Sequence, residues 1–116
     1  MNQFDFLRAF ALSLPEATEE PHFEKTSFRV KKKIFATYDK KNNMACLKFS
    51  EIDQDVFSTI DKAVIYPVPN KWGNQGWTLI ELDKLDNEIL QDALTTAYIG
   101  VAPKKLSCQI KRNEKD

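Results

Sequence analysis

An α+β fold, with helices laid over one face of an antiparallel sheet of about five strands, is what this 116-residue sequence predicts. Three observations carry that expectation. Three well-separated segments repeat apolar residues at three- and four-residue spacing, as amphipathic helices do. Short alternating stretches lie between them, separated by turn residues. The three glycines, Gly73, Gly76 and Gly100, match neither a phosphate loop nor a dinucleotide fingerprint. The expected order is helix, three strands, helix, two strands, helix.

The first helix is read from Phe4, Leu7, Ala11 and Leu14, with Phe6 and Phe10 widening the apolar face and Pro15 stopping it. EATEEPHFEK, residues 16–25, reads as an acidic linker. Three strands are expected next: a short one from Phe28 to Val30, one from Lys33 to Tyr38, and one from Met44 to Phe49. Alternation places Ile34, Ala36 and Tyr38 on the apolar side of the second, which turns Lys33, Phe35 and Thr37 outward. Lys31-Lys32 and Asp39-Lys40-Lys41-Asn42-Asn43 connect the three as an antiparallel meander.

Ser50 has the character of an N-cap, with Glu51 and Asp53 in the favourable first turn. The helix it opens is expected to send Ile52, Val56, Phe57 and Ile60 toward a core. A strand from Ala63 to Tyr66 runs into Pro67-Val68-Pro69, which cannot continue a ladder. Trp77 to Leu82 alternates again, placing Trp77 and Leu79 on one face as expected core. Asp86 caps the last long helix, whose inner face is Leu90, Ala93, Leu94, Ala97 and Tyr98 and whose end falls near Gly100. Residues 1–106 are expected as one domain, and 107–116 as a basic polar tail that frays.

Composition narrows the function classes. With 42% apolar and 29% charged residues the chain resembles ordinary soluble domains. No run of about 18 apolar residues exists to span a membrane. The first residues carry Asp5 and Arg8 inside the apolar part, unlike a secretory signal, so a cytoplasmic location is the expectation. Cys46 and Cys108 are too few for a disulfide framework, and His22 is the lone histidine. Neither a structural metal nor a cofactor is expected. His22 has no neighbouring nucleophile, and Glu19-Glu20 reads as a solvated pair, so no catalytic residue is assigned and an enzyme is not expected.

Charge is unevenly spread. Basic and acidic residues balance at 17 each, yet residues 28–49 hold seven basic side chains against the single acid Asp39. Lys31, Lys32, Lys33, Lys40 and Lys41, with Lys71 further on, are candidate phosphate contacts for DNA or RNA bound without sequence preference. An ordinary solvated hairpin face, and a charged sheet edge that resists pairing with other chains, are the competing readings. The connection YPVPNKWGNQGW, residues 66–77, concentrates two prolines, two glycines and two tryptophans. Trp72, Asn74 and Gln75 there, together with the exposed sheet, are candidates for contact with another protein, the Trp72 ring either packing down or offering a stacking face. Oligomeric state is not legible.

The succession ALSLPEATEE, FxxxSFRVKKKIFA (Phe23 to Ala36), LKF, GWTLIEL and TTAYIGVAPKKL resembles the MmcQ/YjbR-like family of small bacterial proteins, over residues 4–106. The resemblance implies a compact α+β domain of the double-wing kind, a DNA-binding role by the label its members commonly carry, and no catalytic motif to transfer. Two departures stand out. The family often has glycine where this chain has Glu16 and Lys32, and lysine disfavours the φ > 0 backbone that glycine permits.

Overall fold

The computed structural model describes residues 3–110. Helix α1 (Gln3–Ser13) precedes strands β1 (Ala17–His22), β2 (Lys25–Val30), β3 (Lys33–Asp39) and β4 (Met44–Lys48). Helix α2 (Glu51–Ile60), strand β5 (Ile65–Pro67), the single-turn α3 (Lys71–Asn74) and β6 (Trp77–Glu81) follow. A 3-10 turn at Leu82–Lys84, the long α4 (Asn87–Val101) and the short α5 (Lys104–Ser107) complete the described chain. The strands form one antiparallel sheet in the order β1-β2-β3-β4-β6-β5. The α+β architecture is the one expected, with six strands where five were. Of the expected tail, residues 111–116 lie outside the described residues. No described helix is long and apolar enough to cross a membrane.

The long helices follow their apolar periodicity. The Asp86 carboxylate accepts the Glu88 N–H at 3.4 Å, and Leu90, Ala93, Leu94, Ala97 and Tyr98 are all fully buried. Helix α4 continues past Gly100 to Val101, and Pro103 follows its cap at Ala102. Across the core, Leu7 and Ala11 of α1 are buried and Phe4 stacks on Tyr38 with ring centres 4.1 Å apart. The Tyr98 ring meets Phe35 edge-on, and its hydroxyl donates to the Pro15 carbonyl at 2.6 Å. That bond satisfies the one polar tip of a large core side chain, which otherwise would be buried unpaired.

The supposed acidic linker is an edge strand. Residues 17–22 pair along their whole length with β2, from Ala17 opposite Val30 to His22 opposite Lys25. Thr18, Glu19, Glu20 and Pro21 are exposed, so β1 contributes backbone pairing rather than core and lacks the apolar alternation that announces a strand. Pro21 is tolerated because an edge strand leaves outward N–H groups unused.

A bulge corrects the expected faces of β3. Phe28 pairs with Ala36 but Arg29 with Ile34, leaving Phe35 as an extra residue. Phe35 and Ala36 are therefore both fully buried under α4, while Ile34 crosses to the other face. The helices cover the face whose cross-strand row is Phe28, Ala36, Leu47 and Thr78. The opposite face carries the row Ser27, Thr37, Cys46, Leu79 and Tyr66. Trp77 and Leu79 do share a face, but it is this second one, where both are only half-buried; Thr78 and Ile80 are the core residues of β6.

Helix α2 departs further. Ser50 caps it as expected, its hydroxyl accepting the Asp53 N–H at 3.1 Å. The Gln54 amide donates to the Gly73 carbonyl (2.9 Å) and the Thr78 hydroxyl (3.1 Å), and Phe57 stacks on Phe49 at 4.9 Å. Of the four apolar residues expected to enter the core, only Phe57 does. Ile52, Val56 and Ile60 face solvent.

Candidate nucleic-acid interface

Val30 opposite Lys33 leaves Lys31 and Lys32 as a two-residue hairpin loop. Their φ angles are +52° and +70°. Positive φ at both central residues is the type I′ turn, which matches the right-handed strand twist and is usually built from Asn-Gly. Here two lysines occupy it. Left-handed backbone crowds their Cβ atoms against the following carbonyls, at about 1–2 kcal/mol per residue. Glu16, at φ +59°, is a third non-glycine residue in this conformation, and its carboxylate meets the Lys31 ammonium at 2.8 Å. The hydrogen bond from Lys31 holds the Glu16 carboxyl below the usual carboxylate range, and Lys105 adds to the effect. Lys31 is thus partly neutralised by its neighbour. Among the ion pairs of the described residues, Lys32 and Lys33 take no part.

Strand direction decides what shares this end of the sheet. Strand β4 ends at Lys48, opposite Trp77 at the start of β6, so the connection before β6 projects from the same end as the Lys31-Lys32 turn. Two strand spacings, about 10 Å, separate β3 from β6. Asn70 caps α3 by accepting the Trp72 N–H at 2.8 Å. Trp72 is half-exposed, with the Lys71 ammonium 6.0 Å from its ring centre. The loop is pinned beneath them: a Cβ at Gly76, where φ is +102°, would come 1.9 Å from the Phe49 carbonyl oxygen. Asn74 and Gln75 are exposed beside it. Lys31, Lys32, Lys33, Lys71 and Trp72 are therefore brought to one end, joined by Lys48, which the sequence reading did not single out.

Lys40 and Lys41 are not part of that cluster. They lie in the turn after β3, seven residues of strand away, about 23 Å at the usual rise. Asp39 organises that turn, accepting from the Asn42 side-chain amide at 2.8 Å and the Lys41 N–H at 3.1 Å; the Asn42 bond above all holds its carboxyl low. The β1–β2 hairpin tip is at this second end, where Phe23 is 93% exposed at φ +60° and edge-on to His22 at 4.9 Å.

The model of the YjbR family matches residues 12–99. The chain belongs to the YjbR family. Among solved structures, it is similar to protein DR2400 of Deinococcus radiodurans, classed as a DUF419 domain, with a TM-score of 0.74 at 23% identity over 94% of this chain and 88% of that one. No functionally curated protein matches the sequence. In this member of the YjbR family the two departures noted above keep the backbone glycine would adopt: Glu16 and Lys32 both have positive φ.

Proposed function

We propose that this YjbR-family protein is a non-enzymatic binding module that holds nucleic acid by its phosphate backbone. The contact is the sheet end built from Lys31, Lys32 and Lys33, with Lys71 and Trp72 at its far corner. The observation that carries the reading is the lysine pair in the type I′ turn. Backbone strain of this kind persists where a side chain is needed for something other than folding. The reading of an edge guarded against strand addition is less well supported, because β2 and β3 are interior strands. The edge beside them is β1, which has its own acids and Pro21.

Side chains carried on a two-residue turn reach phosphates without being fixed firmly enough to read base edges, so binding without sequence preference follows. Trp72 supplies a stacking face for an unpaired base, which favours single strands. Lys40 and Lys41 join only when a strand runs the length of β3. Titrating random-sequence single- and double-stranded DNA and RNA at about 50 and 200 mM salt tests the reading, since counterion release makes phosphate binding steeply salt-dependent. Protein that binds none of them at the lower salt would end it. A second reading rests on the half-exposed Trp72 with Asn74 and Gln75: contact with another protein, which would respond little to salt.

A further inference from the structure

Helix α2 turns its apolar stripe away from the protein. Ile52, Val56 and Ile60 are 76%, 55% and 48% exposed, and their four-residue spacing aligns them on one face. The opposite side holds Phe57 in the core and Gln54 on the sheet. A stripe of this regularity, left in water, is the pattern of a surface that receives another amphipathic helix.

The surroundings say what kind of helix. Glu51 and Asp55 line one side of the stripe and Asp53 the other, and Lys62, just beyond the helix, lines the groove beside Glu51 and Asp55. On the Glu51 and Asp55 side the stripe opens into a groove of about 700 Å³ between α2 and strand β5. Strand β5 presents acceptors there. The Val64 carbonyl and Val68 N–H are spent on β6, and the Ile65 N–H donates to the Asp61 carbonyl at 2.9 Å. Pro67 has no N–H, so antiparallel alternation leaves the carbonyls of Ile65 and Pro67 as the outward groups. Acids and carbonyl oxygens together ask for a donor-rich, cationic side chain.

We infer that the outer face of α2 docks a basic amphipathic helix, its apolar residues on Ile52, Val56 and Ile60 and its lysines or arginines toward Glu51, Asp55 and the β5 carbonyls. A second copy of this chain fits less well. Two α2 helices would bring their acids together, and three side chains fall far short of the roughly 20–30 residues a side of a standard interface.

The probe is an 18-residue Leu/Lys peptide with leucines on one helical face, compared with its scrambled sequence and with a Leu/Glu version of the same pattern. Binding is read by fluorescence anisotropy of labelled peptide. The Leu/Lys helix should bind at least tenfold tighter than either control, and Ile52→Ser with Val56→Ser should remove that preference with an unchanged thermal midpoint. Glu51→Gln with Asp55→Asn should weaken the Leu/Lys helix alone, while Trp72→Ala leaves it unaffected. Equal binding of the peptide and its scramble, or full binding to the double Ser protein, would overturn the inference. So would sedimentation showing a wild-type dimer that Val56→Lys disperses, since the occupant would then be a second copy.

Discussion

Replacing Lys32 separates what the turn needs from what its side chain does. Lysine at φ +70° carries a strain of about 1–2 kcal/mol that glycine does not. Glycine in turn loosens the unfolded chain, which offsets about 0.5–1 kcal/mol of that gain. Lys32→Gly should therefore stabilise the protein by about 0.5–1 kcal/mol, or about 2–4 °C in Tm for a domain near this size. Lys32→Ala keeps the strained backbone while removing the same charge, and its stability should stay within about 0.5 kcal/mol of wild type. In nucleic-acid titrations across salt, the two variants should behave alike, each losing affinity and about one unit of salt slope per phosphate contact removed. Stability and binding thus move in opposite directions for glycine, and only binding moves for alanine. Glycine no more stable than alanine would refute the strain argument. Wild-type affinity in both variants would remove Lys32 from the interface.

Four further outcomes follow from packing and burial. Gly76→Ala should destabilise severely, by more than about 3 kcal/mol in chemical unfolding, because its Cβ would sit 1.9 Å from the Phe49 carbonyl oxygen at a φ of +102°. Gly100→Ala, with open space around its Cβ inside α4, should instead stabilise by roughly 0.5–1 kcal/mol. Phe35→Ala should cost about 3–5 kcal/mol as a large core truncation, and half-buried Trp77→Ala clearly less; equal losses would place Trp77 in the core after all. Burial pushes the Cys46 thiol up to about 11, so its thiolate fraction at pH 7 should be about a hundredfold below that of an ordinary cysteine. Thiol titration with a chromogenic disulfide should modify exposed Cys108 first, and the Cys46 rate should keep rising to about pH 11.

Where one physical rule acts alone, the sequence spoke plainly. Helices α1 and α4 repeat apolar residues at their own period and cover the core with them, and Ser50 and Asp86 cap where their chemistry says they should. The hairpins from β2 to β4 were readable because polar turns interrupt alternating runs. Strand β1 was not, since ATEEPH satisfies only backbone pairing and its outward residues are free to be acidic. The bulge at Phe35 is invisible to alternation, because it arises from a register shift against β2. Helix α2 misled for the opposite reason: its stripe of Ile52, Val56 and Ile60 has the period of a core face, and periodicity cannot say which side of a helix the rest of the protein occupies. At the candidate interface the lysines were legible as residue types, but their sorting to two ends 23 Å or so apart required strand directions, and the strain in the Lys31-Lys32 turn required backbone angles.

The position of α4 in the chain has a consequence for the order in which the protein is made. Its residues from Leu90 to Tyr98 are the cover for β3 and β4, yet more than forty residues separate them from the end of β4. At a synthesis rate of roughly 5–20 residues per second, the four-stranded meander waits several seconds for its roof. During that wait Phe28, Phe35 and Leu47 lack α4, the helix that completes their burial. One side of the nascent meander is already closed by β1, whose glutamates and Pro21 discourage intruders. The other side is β4, which stays open until β6 emerges to pair with it. A chain halted at residue 86 has all six strands and lacks the roof, so it should bind a hydrophobic dye more strongly than the finished protein does. The vulnerable moment in the life of this protein is therefore its birth, and the exposed strand at that moment is Met44–Lys48.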